Sequence, residues 1–171
     1  MAGYSNQKVF ILYEDEHLLV VKKPFGMESQ RGKSFAMDQE SLLRGYLSSK
    51  TKTDNPYLAV VHRLDRPVAG VMVYAKTKKA AADLSAQLQT ENFSKKYEAV
   101  VSGIVPACEG RLEGYLTADK RTGTTSVSSK ADPLAKKAVL TWKEIAREEV
   151  KSGEILLPYA SIFKCVCSPL S

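Results

Sequence analysis

The sequence predicts an α+β fold, a mostly antiparallel mixed sheet with flanking helices, and three observations point to it. Short apolar runs joined by tight polar turns recur along the chain, as at residues 9–13 and 18–22 on either side of Glu14-Asp15-Glu16-His17. Helical periodicity interrupts them in two places: over 38–47, with Leu42, Leu43, Tyr46 and Leu47 in phase, and over 77–90, with Ala80, Ala81, Leu84 and Leu88 on one face. Strands and helices do not alternate regularly, which argues against a wound parallel sheet.

Each element has a local reason. The two opening runs form a hairpin, and Lys23-Pro24-Phe25-Gly26 stops its second strand. Thr77 is placed to cap the second helix, because its hydroxyl can accept from a first-turn N–H. Residues 58–61 and 71–75 read as strands flanking a shaped loop, and 96–101 and 138–145 as further strands, although 143–150 also fits a helical turn. The Ser/Thr/Gly-rich stretch 117–129 reads as a loop, since its small polar residues offer no face to bury.

At 171 residues, 44% hydrophobic and 26% charged, the chain has the make-up of one globular domain, or a domain with an appendage. No apolar run approaches the ~20 residues that span a bilayer, and residues 1–8 lack the apolar stretch of a signal peptide, so the expectation is a cytoplasmic protein. Three cysteines, two of them in Cys165-Val166-Cys167, make neither a disulfide framework nor a zinc site, and no metal is expected. The net charge of +6 suits a polyanionic partner if it is clustered. Clusters occur at Lys76, Lys78 and Lys79, at Lys95 and Lys96 before Tyr97, and at Lys120, Arg121 and Lys130.

The chemistry concentrates in His62-Arg63-Leu64-Asp65-Arg66-Pro67-Val68-Ala69-Gly70. Pro67 fixes its own φ and pushes Arg66 towards extended geometry, and Gly70 is expected to supply a turn closed to other residues. Asp65 is then held on a loop between Arg63 and Arg66, cations that favour its charged, nucleophilic form. The same charge pattern also fits a salt-bridged surface loop.

Three blocks, in order, resemble the RluA-type RNA pseudouridine synthases. Residues 11–24 (Ile-Leu-Tyr-Glu-Asp-Glu-His-Leu-Leu-Val-Val-Lys-Lys-Pro) are similar to that family's opening hairpin. His62-Arg63-Leu64-Asp65 with Gly70 and Ala75-Lys76 is similar to its catalytic block, and Lys95-Lys96-Tyr97-Glu98-Ala99-Val100-Val101-Ser102-Gly103 to its basic-aromatic strand. The second block is specific, and the three together cover about 9–147. The resemblance implies isomerisation of uridine to pseudouridine in rRNA or tRNA, with no cofactor. Asp65 would be the nucleophile and Tyr97 the ring that meets the flipped uracil and assists at its C5. His62 and Arg63 would shape the loop and meet RNA or the displaced base. Arg66, Lys95 and Lys96 complete the RNA-binding set, and His17 is expected to be merely exposed in its turn.

Two departures stand out. Val68-Ala69 replaces the hydroxyl pair that many members carry before the glycine, and no segment matches the family's C-terminal Gly-Arg-Thr/Pro-His-Gln-Ile-Arg, since no arginine follows Arg147. The expectation is therefore a partial catalytic domain over 9–150, starting too early in the chain for a separate N-terminal RNA-binding domain, and a non-matching tail over 151–171. Loss of the last strands would expose a sheet edge, unless Leu156, Leu157, Ile162 and Phe163 cover it. A catalytically silent RNA-binding domain, or a truncated remnant, is the alternative reading.

Overall fold

Asp15 is the residue that closes the first hairpin. Its Oδ1 accepts from the backbone N–H groups of His17 and Leu18 at 2.7 and 2.6 Å, so the turn satisfies its own donors. Those bonds, from Leu18 first and then His17, hold the Asp15 carboxyl below its usual range. In the computed structural model, β1 (Phe10–Glu14) thus pairs antiparallel with β2 (Leu18–Lys23), and His17 is exposed as expected. The structure describes residues 9–32, 37–90, 94–102, 107–119, 121–122, 124–148 and 160–167. The chain divides into two units, Met1–Ala86 and Gln87–Ser171, and each carries its own antiparallel sheet.

In the first unit, α1 (Gln39–Thr51), β3 (Ala59–Val60) and β4 (Gly70–Ala75) follow the hairpin, and the sheet order is β1-β2-β4-β3. Asp38 caps α1 in extended geometry, Oδ1 accepting from Ser41 N at 2.9 Å, and Lys52 ends the helix in the left-handed region at φ 55°. The helix runs four residues beyond the apolar stretch that predicts it. Its last turn is polar but bonded, with Thr51 Oγ1 donating to Leu47 O at 2.8 Å. Leu43 and Leu47 of α1 bury against Leu19 and Val21 of β2, Met72 and Tyr74 of β4, and Leu58, which form the core. Arg44 draws the chain leading to β3 onto the helix by donating to Pro56 O at 3.1 Å and Leu58 O at 2.8 Å. The second helix, α2 (Lys78–Leu88), starts where expected, with Ala80 N donating to Thr77 Oγ1 at 3.2 Å. Unlike α1, it fully buries none of its residues.

Glu14, at the end of β1, ties three elements together. Its Oε2 accepts from Tyr46 Oη at 2.8 Å and Lys50 Nζ at 2.9 Å, and its Oε1 from Lys76 Nζ at 2.7 Å. Burial would push this carboxyl up, but bonds from Lys76, Lys50 and Tyr46 outweigh it and lower the pKa to about 2. A carboxylate depressed on folding contributes stability above its unfolded value that is lost as pH falls through its folded value. Unfolding in urea is therefore expected to become easier by about 1 to 3 kcal/mol as the pH falls from about 4.5 towards 2. In Glu14→Gln that part of the acid sensitivity should disappear.

The second unit contains β5 (Lys95–Ser102), β6 (Glu109–Asp119), β7 (Thr124–Ser128), β8 (Lys136–Glu148) and β9 (Ala160–Cys167), in the sheet order β5-β9-β8-β6-β7. The loop expected over 117–129 is instead a hairpin, β6 pairing with β7 from Tyr115↔Ser128 to Asp119↔Thr124. Backbone pairing needs no buried face, and β-branched threonines suit a strand open to water on both sides. Asp132 then fastens the following turn, accepting from Thr117 Oγ1 at 2.6 Å, Ser128 Oγ at 2.7 Å and Leu134 N at 2.9 Å. β8 continues as strand through Glu148, so the helical alternative from 143 does not form there. β9 pairs antiparallel with β5 on one side and β8 on the other. Residues 160–167, expected to belong to a tail, thus hold an interior place in the sheet; of the two expectations, an exposed edge or an edge covered by this segment, the strand that carries Ile162 and Phe163 follows the second. Leu156 and Leu157 lie outside the described residues.

Candidate active site

Asp65 sits in the loop between β3 and β4, and both its neighbours are fixed through their backbones. On the N-terminal side, buried Ser29 brackets Leu64: its Oγ donates to Leu64 O at 2.5 Å and accepts from Leu64 N at 3.0 Å. Ser29 is itself held by the buried Tyr74, whose hydroxyl donates to Ser29 O at 3.2 Å. On the C-terminal side, Gly26 N donates to Arg66 O at 2.9 Å and Arg66 Nε donates to Gly26 O at 3.0 Å. A turn closes from Val68 N to Asp65 O at 2.9 Å, and the Asp65 side chain stands in solvent.

The glycine logic differs from that expected. Gly70 is not in the left-handed region; it is the first residue of β4, and a Cβ there would meet Leu64 Cδ1 at 3.0 Å. What its missing side chain permits is close approach of the loop. The left-handed glycine is Gly26, at φ 81°, in the turn that grips Arg66.

Electrostatics also departs from expectation. Among the described residues no direct ion pair joins Asp65 to Arg63 or Arg66, because Arg66 turns its Nε to Gly26 O. The cation coupled to Asp65 is Lys23, fully buried at the end of β2. Burial pushes the Lys23 ammonium down, and the Asp65 charge acts in the opposite sense. Its Nζ donates to Met27 O at 2.7 Å, Pro24 O at 3.2 Å and Arg66 O at 3.4 Å, so it tethers the turn and the loop while facing the carboxylate's field. Buried ammonium groups persist where such acceptors offset their desolvation.

His62 is half-buried, and its Nε2 accepts from Val73 N at 3.1 Å. That bond anchors the loop's start to β4. Arg63 and Arg66 are exposed. Tyr97, Lys95 and Lys96 lie on β5 in the second unit; Tyr97 and Lys95 are half-buried on one face, Lys96 is exposed on the other. Lys120 lies outside the described residues. Among the described residues no group of three or more His, Cys, Asp or Glu side chains is arranged to hold a metal, and no helix is long and apolar enough to cross a membrane.

Sequence reasoning missed Lys23 and Ser29. A signal for Lys23 exists: Leu19, Val21 and Lys23 alternate along β2, so the lysine falls on the inward face. Ser29 has none, because its partner is 35 residues away. Ser29→Ala leaves two backbone groups of Leu64 without their partner, a loss of about 1 to 3 kcal/mol in holding the loop. The midpoint of urea unfolding is expected to fall accordingly, and Ser29→Thr, which keeps the hydroxyl, should recover part of it.

The chain is similar to a set of known proteins. The family model described as RNA pseudouridylate synthase matches residues 17–159. Ribosomal large subunit pseudouridine synthase D of Pseudomonas aeruginosa is 41% identical over 96 residues, 56% of this chain and 29% of that protein. Dual-specificity RNA pseudouridine synthase RluA of Vibrio vulnificus is 38% identical over 109 residues, 64% of this chain and 41% of that protein. tRNA pseudouridine synthase C of Yersinia pestis is 31% identical over 140 residues, 82% of this chain and 52% of that protein. The chain thus spans about half or less of the length of these relatives. Among solved structures, Human RNA Pseudouridylate Synthase Domain Containing 4 shares the fold with a TM-score of 0.67 at 20% identity, over 92% of this chain and 58% of that one. With the family match covering most of its length and the relatives agreeing, the chain belongs to the RNA pseudouridylate synthase family.

Proposed function

We propose that this chain isomerises uridine to pseudouridine in RNA, with Asp65 as the nucleophile. One observation carries the reading: an exposed carboxylate whose two neighbours are both fixed, Leu64 by Ser29 and Arg66 by Gly26. A nucleophile must be held close to its attack geometry, and small misplacements cost orders of magnitude in rate.

The reaction is an isomerisation and needs no oxidant, reductant or metal. The Asp65 carboxylate attacks either ribose C1′ or uracil C6, the N1–C1′ bond breaks, and the base turns in place. On the C1′ route C5 displaces Asp65 from C1′ as the new bond forms; on the C6 route C5 bonds to C1′ and Asp65 then leaves C6. On either route the C5 proton leaves to a base, N1 takes up a proton, and the carboxylate is restored. The target uridine has to leave its stack, which costs a few kcal/mol. We assign Tyr97 to the uracil face, where stacking returns roughly 1 to 3 kcal/mol, with assistance to the C5 proton. Lys95, Lys96, Arg63 and Arg66 are assigned to the RNA, and His62 to shaping the loop. The similar proteins are named for large-subunit ribosomal RNA, for tRNA, or as dual-specific, and an rRNA or tRNA uridine in the cytoplasm is the substrate we infer.

Because the C5 hydrogen is lost in the reaction, tritium release tests the proposal. Unmodified tRNA and large-subunit rRNA transcripts carrying [5-³H]uridine should release tritium to water when the protein is added. No release from either pool would contradict the reading.

A further inference from the structure

Phe25 is exposed over 74% of its surface, yet it stands in one of the most tightly tied segments of the first unit. Lys23 Nζ bonds the carbonyls of Pro24 and Met27 on either side of it, and Gly26, the next residue, exchanges two bonds with Arg66. Ring and nucleophile loop are therefore carried on one locked assembly. Met27, two residues on, is buried, and Gly26 takes the positive φ that turns the chain at this point.

We propose that Phe25 is a stacking platform for an unpaired nucleobase flanking the target uridine in the bound RNA. The inference rests on the reading of Asp65 given above and adds a contact outside the reacting base. Three features favour a base over an apolar protein partner. Along the chain the ring stands between a half-buried proline and a glycine followed by a buried methionine, so its own turn adds no second exposed apolar side chain. Cations are carried on the adjoining loop, since exposed Arg66 is bonded to the adjacent glycine and Arg63 is exposed two residues before Asp65, which suits a base that brings its phosphate with it. The turn is also prearranged, so little backbone entropy is lost when a base lands on the ring. Among the described residues of this unit the other exposed aromatics stand elsewhere: Phe10 and Tyr13 lie along β1, and Tyr57 is on the chain leading to β3.

The test measures binding apart from turnover. In an Asp65→Ala background, which leaves RNA unconsumed, fluorescein-labelled unmodified tRNA and large-subunit rRNA transcripts are titrated by anisotropy. Phe25→Ala is expected to raise Kd by roughly fivefold to a hundredfold. Phe25→Trp should bind at least as tightly as the parent, and Phe25→Leu should behave like the alanine variant, because a leucine offers bulk without a π-face. Unchanged Kd in Phe25→Ala, parent-like binding by Phe25→Leu, or a loss of thermal stability with Kd unchanged would each overturn the proposal. Tight RNA binding by the parent that depends on Phe25, in a protein whose wild type releases no tritium, would sustain this inference while the assignment of catalysis failed.

Discussion

Asp65→Asn is expected to abolish pseudouridine formation, by roughly a thousandfold or more, while the protein folds and binds RNA as before. The carboxylate is exposed and the loop is held by backbone groups of Leu64 and Arg66, so the amide changes no bond that positions the loop. Its two costs separate cleanly: the nucleophile is gone, and Lys23 loses the charge that offsets its burial. The first removes turnover, and the second is a modest change in stability. Thermal melts and RNA anisotropy beside the activity assay would confirm the split. A variant that melts tens of degrees lower would show instead that Asp65 is structural.

Lys23→Met is expected to weaken both the fold and the reaction. Methionine keeps most of the buried stem but leaves the carbonyls of Pro24, Met27 and Arg66 without a donor. Each unsatisfied buried acceptor costs about 1 to 3 kcal/mol, set against the relief of no longer burying a charge. The weaker bonds, at 3.2 and 3.4 Å, carry less than the one at 2.7 Å to Met27, so a net loss of about 2 kcal/mol in urea unfolding is expected. Turnover should drop by roughly tenfold or more, because this nitrogen ties the turn to the loop beside the two Gly26–Arg66 bonds. Unchanged stability would mean that those carbonyls find water as readily as they find Lys23.

What could be read in the sequence was what depends on near neighbours. The opening hairpin, the Thr77 cap, the strand-loop-strand around Asp65 and the strand carrying Tyr97 follow from alternation, turn residues and helical phase within short windows. Where the determinant lies elsewhere in the chain, sequence reasoning gave a different answer or none. Gly70 makes room for the close approach of Leu64, a contact across the loop, whereas the left-handed turn belongs to Gly26. Ser29 and Leu64 are 35 residues apart, and no local pattern announces their pairing. The hairpin of β6 and β7 was hidden because its turn and most of β7 are small and polar, so alternation carries little signal there. The place of β9 between β5 and β8 is a long-range pairing of the same kind.

The central claim is that Asp65 performs base isomerisation in RNA, and position-resolved mapping of pseudouridine tests it most directly. Unmodified large-subunit rRNA and tRNA would be incubated with wild type and with Asp65→Ala, then treated with carbodiimide and read by reverse transcription. The account predicts one or a few discrete stops with wild type and none with Asp65→Ala. Stops of equal strength with both proteins, or none with a wild type that is folded and binds the same RNA, would contradict it.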